Sequence, residues 1–212
     1  MRSNHLSVII IALLAGLLAL NGCLGDPGKT PPTRYYVLNS LYSAEKKTAP
    51  VAILKKAAVG VGPIKLSQVL DRPQIIMRTS RNEIRVADLE RWAGPLNEIM
   101  ANVIVDNLTN LLPGTKIIKF PWQATIPVTY QVTMDITRFD GMPGGDVNLR
   151  TRWGILGQSG KKVLANRQSM LNEPIGGNSI ADMVSAQSRL LEKLCREIAM
   201  EIKELEKQRL GQ

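Results

Sequence analysis

Cysteine and histidine, the side chains most often used for nucleophilic and acid–base chemistry near neutral pH, occur at only three positions. They are His5, Cys23 and Cys195. Cys23 directly follows Leu20-Asn21-Gly22, at the end of an apolar run. Cys195 lies among apolar residues at helical spacing, where a free thiol packs as a small hydrophobic group. We therefore expect Cys23 to be the chemically modified cysteine and Cys195 to be buried.

The first residues have the composition of a targeting signal. A short cationic start, Met1-Arg2, precedes an apolar run over residues 6–20, and Gly22 precedes Cys23. The run is shorter than the ~20 residues that a membrane-spanning helix needs. The segment resembles a bacterial lipoprotein signal, which implies cleavage between Gly22 and Cys23 and acylation of Cys23, for example with palmitate. An uncleaved anchor helix and a plain secreted protein are the alternatives.

Removal of this signal would also remove His5, the only histidine. Ser-His-Asp and Cys-His catalysis need a histidine, and histidine metal sites are lost with it. No spacing in the sequence recommends a Ser-Lys or paired-carboxylate site in their place. We therefore expect a protein that is not an enzyme, with no catalytic residue, no metal site and no cofactor.

Residues 24–33 are rich in Gly, Pro and Thr and lack hydrophobic periodicity, which predicts a flexible tether. At ~3.5 Å per residue, the tether would let a folded domain stand up to ~35 Å from a membrane. The formal charge of +9 comes from scattered lysines and arginines, without an aromatic-studded basic stripe. This pattern argues against nucleic acid as a partner and favours attraction to anionic lipid headgroups.

Strand signals follow the tether, and the period changes twice to that of a helix. Alternating or β-branched stretches predict strands at 35–38, 51–54, 58–61, 115–119, 128–137, 146–153 and 162–170, and a hairpin of 74–78 and 83–86. One helix is predicted after Gly94-Pro95, ending at Pro113-Gly114, and a second from an N-cap at Asn178 or Ser179 to about Lys207.

This order of elements, strands, helix, strands, helix, predicts an α+β fold. We expect a mainly antiparallel sheet with two long helices packed on one face. The expected organisation is a signal peptide at 1–22, a lipidated cysteine and tether at 23–33, and a single domain at 34–212.

Three motifs in the first half of this domain carry a family resemblance. They are Val61-Gly62-Pro63-Ile64, then Leu70-Asp71-Arg72-Pro73-Gln74-Ile75-Ile76, and then Arg91-Trp92-Ala93-Gly94-Pro95-Leu96. Together with the signal ending at Cys23 and with Tyr35-Tyr36-Val37-Leu38, they resemble the PqiC-type family, the ABC-type transport auxiliary lipoproteins. The resemblance covers essentially all of the domain.

The resemblance implies a non-enzymatic lipoprotein at the periplasmic face of the outer membrane. The residue after Cys23 is Leu24 rather than aspartate, and in this respect the sequence resembles lipoproteins that are sorted to the outer membrane. It implies work with an MCE-domain protein of the same transport system in moving lipids or other hydrophobic molecules. It also implies a ring-like homo-oligomer.

Four residues are candidates for a partner interface: Asp71, Arg72, Trp92 and Trp122. Tryptophan and arginine dominate the energetics of many interfaces. The alternative for Asp71 and Arg72 is turn chemistry, with Arg72 paired to a nearby carboxylate. Trp92 could instead pack on the following helix, and Trp122 could cover the sheet.

Two further patterns receive structural interpretations. Gly60 and Gly62 lack the Lys-Ser/Thr pair of a phosphate loop, so we expect a strand end with a close backbone approach. Asp135, Asp140 and Asp146 do not have calcium-loop spacing, and we expect solvated strand ends.

One other function is also compatible with the anchor and the basic charge. The protein could be a structural envelope lipoprotein that binds peptidoglycan or an outer-membrane assembly machine. An envelope hydrolase would need a catalytic pair that no spacing here recommends.

Overall fold

Eight strands and two helices make up the described part of the chain, which is residues 31–40, 57–123 and 125–211 of a computed structural model. The elements are β1 (Arg34–Tyr36), β2 (Ala58–Leu66), β3 (Gln74–Arg78), β4 (Ile84–Trp92), α1 (Leu96–Leu111), β5 (Lys116–Lys119), β6 (Tyr130–Gly141), β7 (Asp146–Gly157), β8 (Lys162–Pro174) and α2 (Ile180–Leu210). The signal peptide, Gly22, Cys23 and the strand predicted at 51–54 lie outside the described residues.

The long strands bury one face because their apolar residues alternate with polar ones. In β6, Tyr130, Val132 and Met134 are buried, whereas Gln131 and Thr133 are half-buried. Successive side chains of a strand point to opposite sides of the sheet, so this pattern packs one side. β7 follows the same rule, with Val147, Leu149, Thr151 and Trp153 buried.

Both helices form where the sequence predicts them. α1 begins after Pro95 and ends at Leu111, just before Pro113-Gly114. α2 begins with a capping box, in which the Ser179 hydroxyl accepts from the Asp182 N–H and the Asp182 carboxylate accepts from the Ser179 N–H. Of the two predicted caps, Ser179 is therefore the one used.

The predicted fold class is wrong, because the sheet is mixed rather than mainly antiparallel. The pairs β1–β4, β2–β5, β2–β6 and β3–β6 are parallel, and β3–β4, β6–β7 and β7–β8 are antiparallel. The predicted plan of two successive strands-then-helix units also fails, because β5 and β6 from the second half flank β2 from the first. Residue alternation fixes which side of a strand is buried but not the direction of its neighbour, so the sequence pattern could not show this interleaving.

Two buried carboxylates lie at the ends of β6, and each accepts hydrogen bonds from arginine side chains. Asp140 accepts two hydrogen bonds of 3.1 Å and 2.9 Å at one oxygen from Arg78 of β3, and another of 2.8 Å from Arg138. Asp140 is only 1% exposed. The prediction of a solvated strand end is therefore wrong at this position, because Asp140 joins β3 to β6.

Glu206 of α2 is the second buried carboxylate, at the other end of β6. It accepts the Tyr130 hydroxyl at 2.8 Å and a bidentate contact from Arg209 at 2.7 Å on each oxygen. The Arg209 contact lowers the pKa of Glu206, while burial and the facing carboxylate raise the pKa of Tyr130 to about 12. Glu206 thereby fixes the last turn of α2 to the start of β6.

Within residues 31–40, 57–123 and 125–211, neither helix combines the length and the hydropathy of a membrane-spanning segment. Within the same ranges, no group of three or more His, Cys, Asp or Glu side chains could hold a metal ion.

Candidate partner-binding corner

Two sequence segments meet at a pocket beside the start of α1, which we call the Trp92 corner. The pocket has a volume of about 440 Å³. Its lining residues are Asp71, Arg72, Pro73, Trp92, Ala93, Gly94, Pro95 and Leu96. The structure therefore brings together three of the four candidate interface residues, which the sequence places on separate motifs.

Main-chain hydrogen bonds hold the two segments against each other. The Asp71 N–H donates to the Ser67 carbonyl at 3.0 Å, which closes a tight turn before Pro73. The Trp92 N–H then donates to the Pro73 carbonyl at 2.8 Å, at the point where β3 and β4 begin to separate. The turn chemistry predicted for Asp71-Arg72-Pro73 thus positions these side chains at the pocket.

Arg72 has no charged partner in the part of the chain that the structure describes. Its Nε atom is buried without a hydrogen bond. A buried donor left unpaired costs stability, and native structures usually pair such groups. The alternative in which Arg72 pairs with a nearby carboxylate is therefore not what the described residues show. Asp71 beside it is exposed.

Trp92 forms a wall of the pocket rather than a protruding anchor. It is 5% exposed and belongs to the hydrophobic core together with Leu96. The neighbouring strand β1 aligns Tyr36 with Trp92, and the Ala93 N–H donates to the Tyr36 carbonyl at 2.9 Å. Burial, with a further effect of the Glu90 carboxylate, raises the pKa of Tyr36 to about 12. The Tyr36 and Trp92 side chains are therefore both neutral at physiological pH.

The start of α1 forms the remaining side of the pocket. Pro95 is the N-cap residue, and no side chain caps this helix end. The partial positive charge of a helix N-terminus therefore faces the same pocket as the Arg72 guanidinium. A Cβ atom added to Gly94 would meet nothing within 4 Å, so the pocket is open there. The positive part of the pocket, at Arg72 and the helix end, suits a negatively charged side chain of a partner, while Asp71 adds a carboxylate to the lining.

Trp122, the fourth candidate, lies elsewhere and covers the face of β2; we call this the Trp122 cover. A Cβ atom on Gly60 would lie 2.6 Å from the Trp122 ring, and one on Gly62 would lie 2.7 Å from Phe120. The two rings meet edge to face, with centroids 5.4 Å apart. The close backbone approach predicted for these glycines is confirmed, but the strand end is not, since β2 continues to Leu66.

The sequence analysis did not identify two charged residues, Glu206 and Lys119, whose contacts hold the helices against the sheet. Glu206 follows Ile198 and Ile202 at steps of four, so its place on the apolar stripe of α2 was a signal of burial. Lys119 likewise binds Glu98 at 3.0 Å and Asn102 at 2.9 Å, which ties β5 to the first turns of α1. No local signal predicts that contact, because its partners lie in another element.

Solved structures define the class of fold. A crystal structure of a protein from Xanthomonas campestris superposes with a TM-score of 0.65 at 16% identity, covering 83% of this chain and 99% of that one. Another crystal structure, of an uncharacterized protein, superposes with a TM-score of 0.66 at 20% identity, covering 81% of this chain and 99% of that one. At these identities, the likeness establishes the fold alone.

The family follows from the sequence match. The family of ABC-type transport auxiliary lipoprotein components matches residues 36–199. This protein belongs to that family. Among its relatives, the intermembrane transport lipoprotein PqiC of Escherichia coli (strain K12) is 26% identical over 174 residues, covering 81% of this chain and 87% of the relative. The protein of the same name from Shigella flexneri matches over the same share.

Proposed function

We propose that this protein is a lipid-anchored, non-enzymatic auxiliary of an intermembrane lipid transport system, at the periplasmic face of the outer membrane. The family supports an auxiliary role in transport, and the name of the Escherichia coli relative supports transport between membranes. The partner that we propose is an MCE-domain protein of the same system.

The observation that carries this proposal is the convergence of Asp71, Arg72 and Trp92 at one open pocket. The Arg72 Nε is buried without a hydrogen bond, next to a helix end that no side chain caps, and native structures usually pair such donors. A partner that brings a carboxylate into the pocket would meet the positive charge of the Arg72 guanidinium and of the helix end. We therefore propose the Trp92 corner as the contact with the MCE-domain protein, and Trp122 as support for the neighbouring surface.

Capture after crosslinking in cells tests this contact. The tagged protein should recover an MCE-domain protein, and Arg72→Glu should lower the recovered amount about tenfold, because it replaces attraction by repulsion in a partly desolvated pocket. Arg81→Glu is the matched control, since Arg81 is exposed in the turn between β3 and β4. Equal recovery with both variants would remove the Trp92 corner from the interface. Recovery of only peptidoglycan or assembly-machine components would contradict the transport function itself.

The membrane anchor has a separate test. We propose that Cys23 is acylated after cleavage between Gly22 and Cys23, because the segment before it resembles a lipoprotein signal. Several acyl chains would hold the protein firmly at the membrane, whereas a single chain binds only marginally. Cys23→Ala should give a folded protein that is lost from the outer-membrane fraction. If this variant still fractionates with the outer membrane, the anchor lies elsewhere.

We also propose a ring-like homo-oligomer. Native mass spectrometry of the Cys23→Ala protein should find one closed assembly across a wide range of concentration, as expected for cyclic symmetry. A monomer at all concentrations would contradict the ring.

A further inference from the structure

The outer edge of β8 is open along part of its length. β8 extends over 13 residues, from Lys162 to Pro174, and among the described strands it pairs only with β7. An unpaired edge presents rows of N–H and C=O groups that can add another strand, so proteins usually block long edges. The extent of blocking on β8 therefore decides whether it can bind an extended chain.

The register of the ladder shows which backbone groups point outward. The Ile175 N–H donates to the Gly145 carbonyl at 2.9 Å, so odd-numbered residues of β8 bond to β7 and even-numbered residues point away from it. Two of the outward carbonyls are covered by α2: Lys193 donates to Asn172 at 3.3 Å and Arg189 to Pro174 at 3.1 Å. These contacts block the C-terminal part of the edge.

Further toward the start of β8, the outward Asn166 carbonyl accepts from the Arg167 side chain at 3.2 Å, whereas no described residue bonds to the outward main-chain groups of Gln168 and Met170. The N–H and C=O groups of Gln168 and Met170 share the outward orientation of Asn172, because the register of β7 and β8 is continuous over these residues. Met170 is 64% exposed. The free part of the edge is therefore residues 168–170, which we call the β8 edge.

An acidic groove opens beside the β8 edge, on the side facing α2. It has a volume of about 460 Å³, and Gln168 is among its lining residues, so it reaches the edge. The Trp153 indole N–H donates to the Ser169 hydroxyl at 2.8 Å, and that hydroxyl donates to Glu197, which forms the floor.

The rim of the groove carries charge of the opposite sign to that of the whole chain. Glu201 and Glu204 lie on the rim with Met200, which is 62% exposed. Glu201 is bonded to Arg167 at 2.8 Å and Glu204 lies 3.7 Å from Lys207, so the three glutamates of the groove face two cations and leave one excess negative charge. In a chain of formal charge +9, this groove is locally negative.

We propose that the β8 edge is a strand-addition site for an extended segment of another polypeptide that carries lysine or arginine. The added strand would lie ~4.8 Å from β8 and bond to the outward groups of Gln168 and Met170. Every second side chain would enter the groove and meet Glu201 and Glu204, and the alternate ones would contact Met170. The site is built from residues outside the Trp92 corner and is independent of the transport function.

Binding of a synthetic peptide tests the proposal on the full chain in detergent. The probe alternates lysine and valine, and a matched peptide carries glutamate in place of lysine. Fluorescence anisotropy should detect binding of the lysine peptide alone. Amide hydrogen exchange should slow at Gln168 and Met170, the two outward donors.

Two variants separate the strand edge from the groove. Gln168→Pro removes an outward N–H without removing a ladder bond, so it should abolish binding while the protein stays folded. Glu204→Lys should weaken binding about fivefold, as expected for one partly exposed charge contact. Glu83→Lys, the same charge change in the turn between β3 and β4, should leave it unchanged.

The proposal would be overturned by no peptide binding, by equal binding of the glutamate peptide, or by binding that survives Gln168→Pro. Concentration-dependent self-association that Gln168→Pro abolishes, without peptide binding, would assign the edge to a second copy of this chain and would also overturn it.

Discussion

The Trp92 corner and the Trp122 cover differ in how their space is filled and in how their charges are paired. At the cover, the Trp122 ring fills the space above Gly60, and Lys119 nearby is bonded to Glu98. At the corner, the space beside Gly94 is open and Arg72 has no described partner. Each region presents a tryptophan, so the residue type does not distinguish them. The structural cover differs from the candidate interface because the charged and apolar groups around Trp122 already have partners within the protein, whereas Arg72 beside Trp92 has none among the described residues.

The largest effect should come from removing the most completely paired charge. Asp140→Ala leaves Arg78 and Arg138 without their shared carboxylate, and we expect the free energy of unfolding to fall by about 3 kcal/mol. Urea denaturation followed by circular dichroism measures the loss. Asp135→Ala is the control, because its contact with Arg152 is exposed and should contribute at most about 1 kcal/mol. Equal losses would mean that the buried, fully hydrogen-bonded Asp140 contributes no more to stability than the exposed Asp135.

The filled and the open glycine positions give the next contrast. Gly60→Val places side-chain atoms where the Trp122 ring lies, and we expect a loss of about 2 kcal/mol from overpacking. Gly94→Ala meets no atom within 4 Å and should change stability by less than about 0.5 kcal/mol.

A double variant tests whether the cost at Gly60 comes from the ring. In Trp122→Ala with Gly60→Val, the combined loss in urea denaturation should be smaller than the sum of the single losses, because the clash is gone. Simple additivity would show that the ring does not set the requirement for glycine.

The paired Glu206 predicts a pH dependence of the free energy of unfolding. Its folded-state pKa is lowered by Arg209, so its contribution to stability is present above the unfolded-state pKa near 4.5 and is lost as the pH falls through the folded-state value. The free energy of unfolding should therefore drop in acid. Glu206→Gln should be less stable at neutral pH and should flatten this part of the profile. A variant that keeps the wild-type acid profile would show that Glu206 is not the titrating group.

The smallest effect is expected at the corner itself. Arg72→Ala removes a cation that no described residue binds, so stability should stay within about 0.5 kcal/mol while capture of the partner falls. Thermal unfolding and crosslinking yield on the same preparations measure both. A loss of stability above about 2 kcal/mol would show that Arg72 stabilises the fold, and the Trp92 corner would then be a structural region like the Trp122 cover.

Local chemistry made much of this molecule predictable. The hairpin of β3 and β4, the proline at the start of α1, the cap at Ser179 and the antiparallel pair of β7 and β8 all follow from turn residues and periodicity. The family also follows from short motifs in a fixed order. These features depend on neighbours within a few residues, and the sequence contains those neighbours directly.

The sequence by itself therefore determined the helices, most strands, their buried faces and the family. Only the tertiary structure decided that β5 and β6 flank β2, that Asp140 is buried between two arginines, and that Arg72 faces an open pocket beside Trp92. The physical reason is that strand direction and charge pairing depend on groups far apart along the chain. Asp71, Arg72 and Trp92 could be chosen from their residue types and motifs, but whether a partner group already satisfied them was settled by folding.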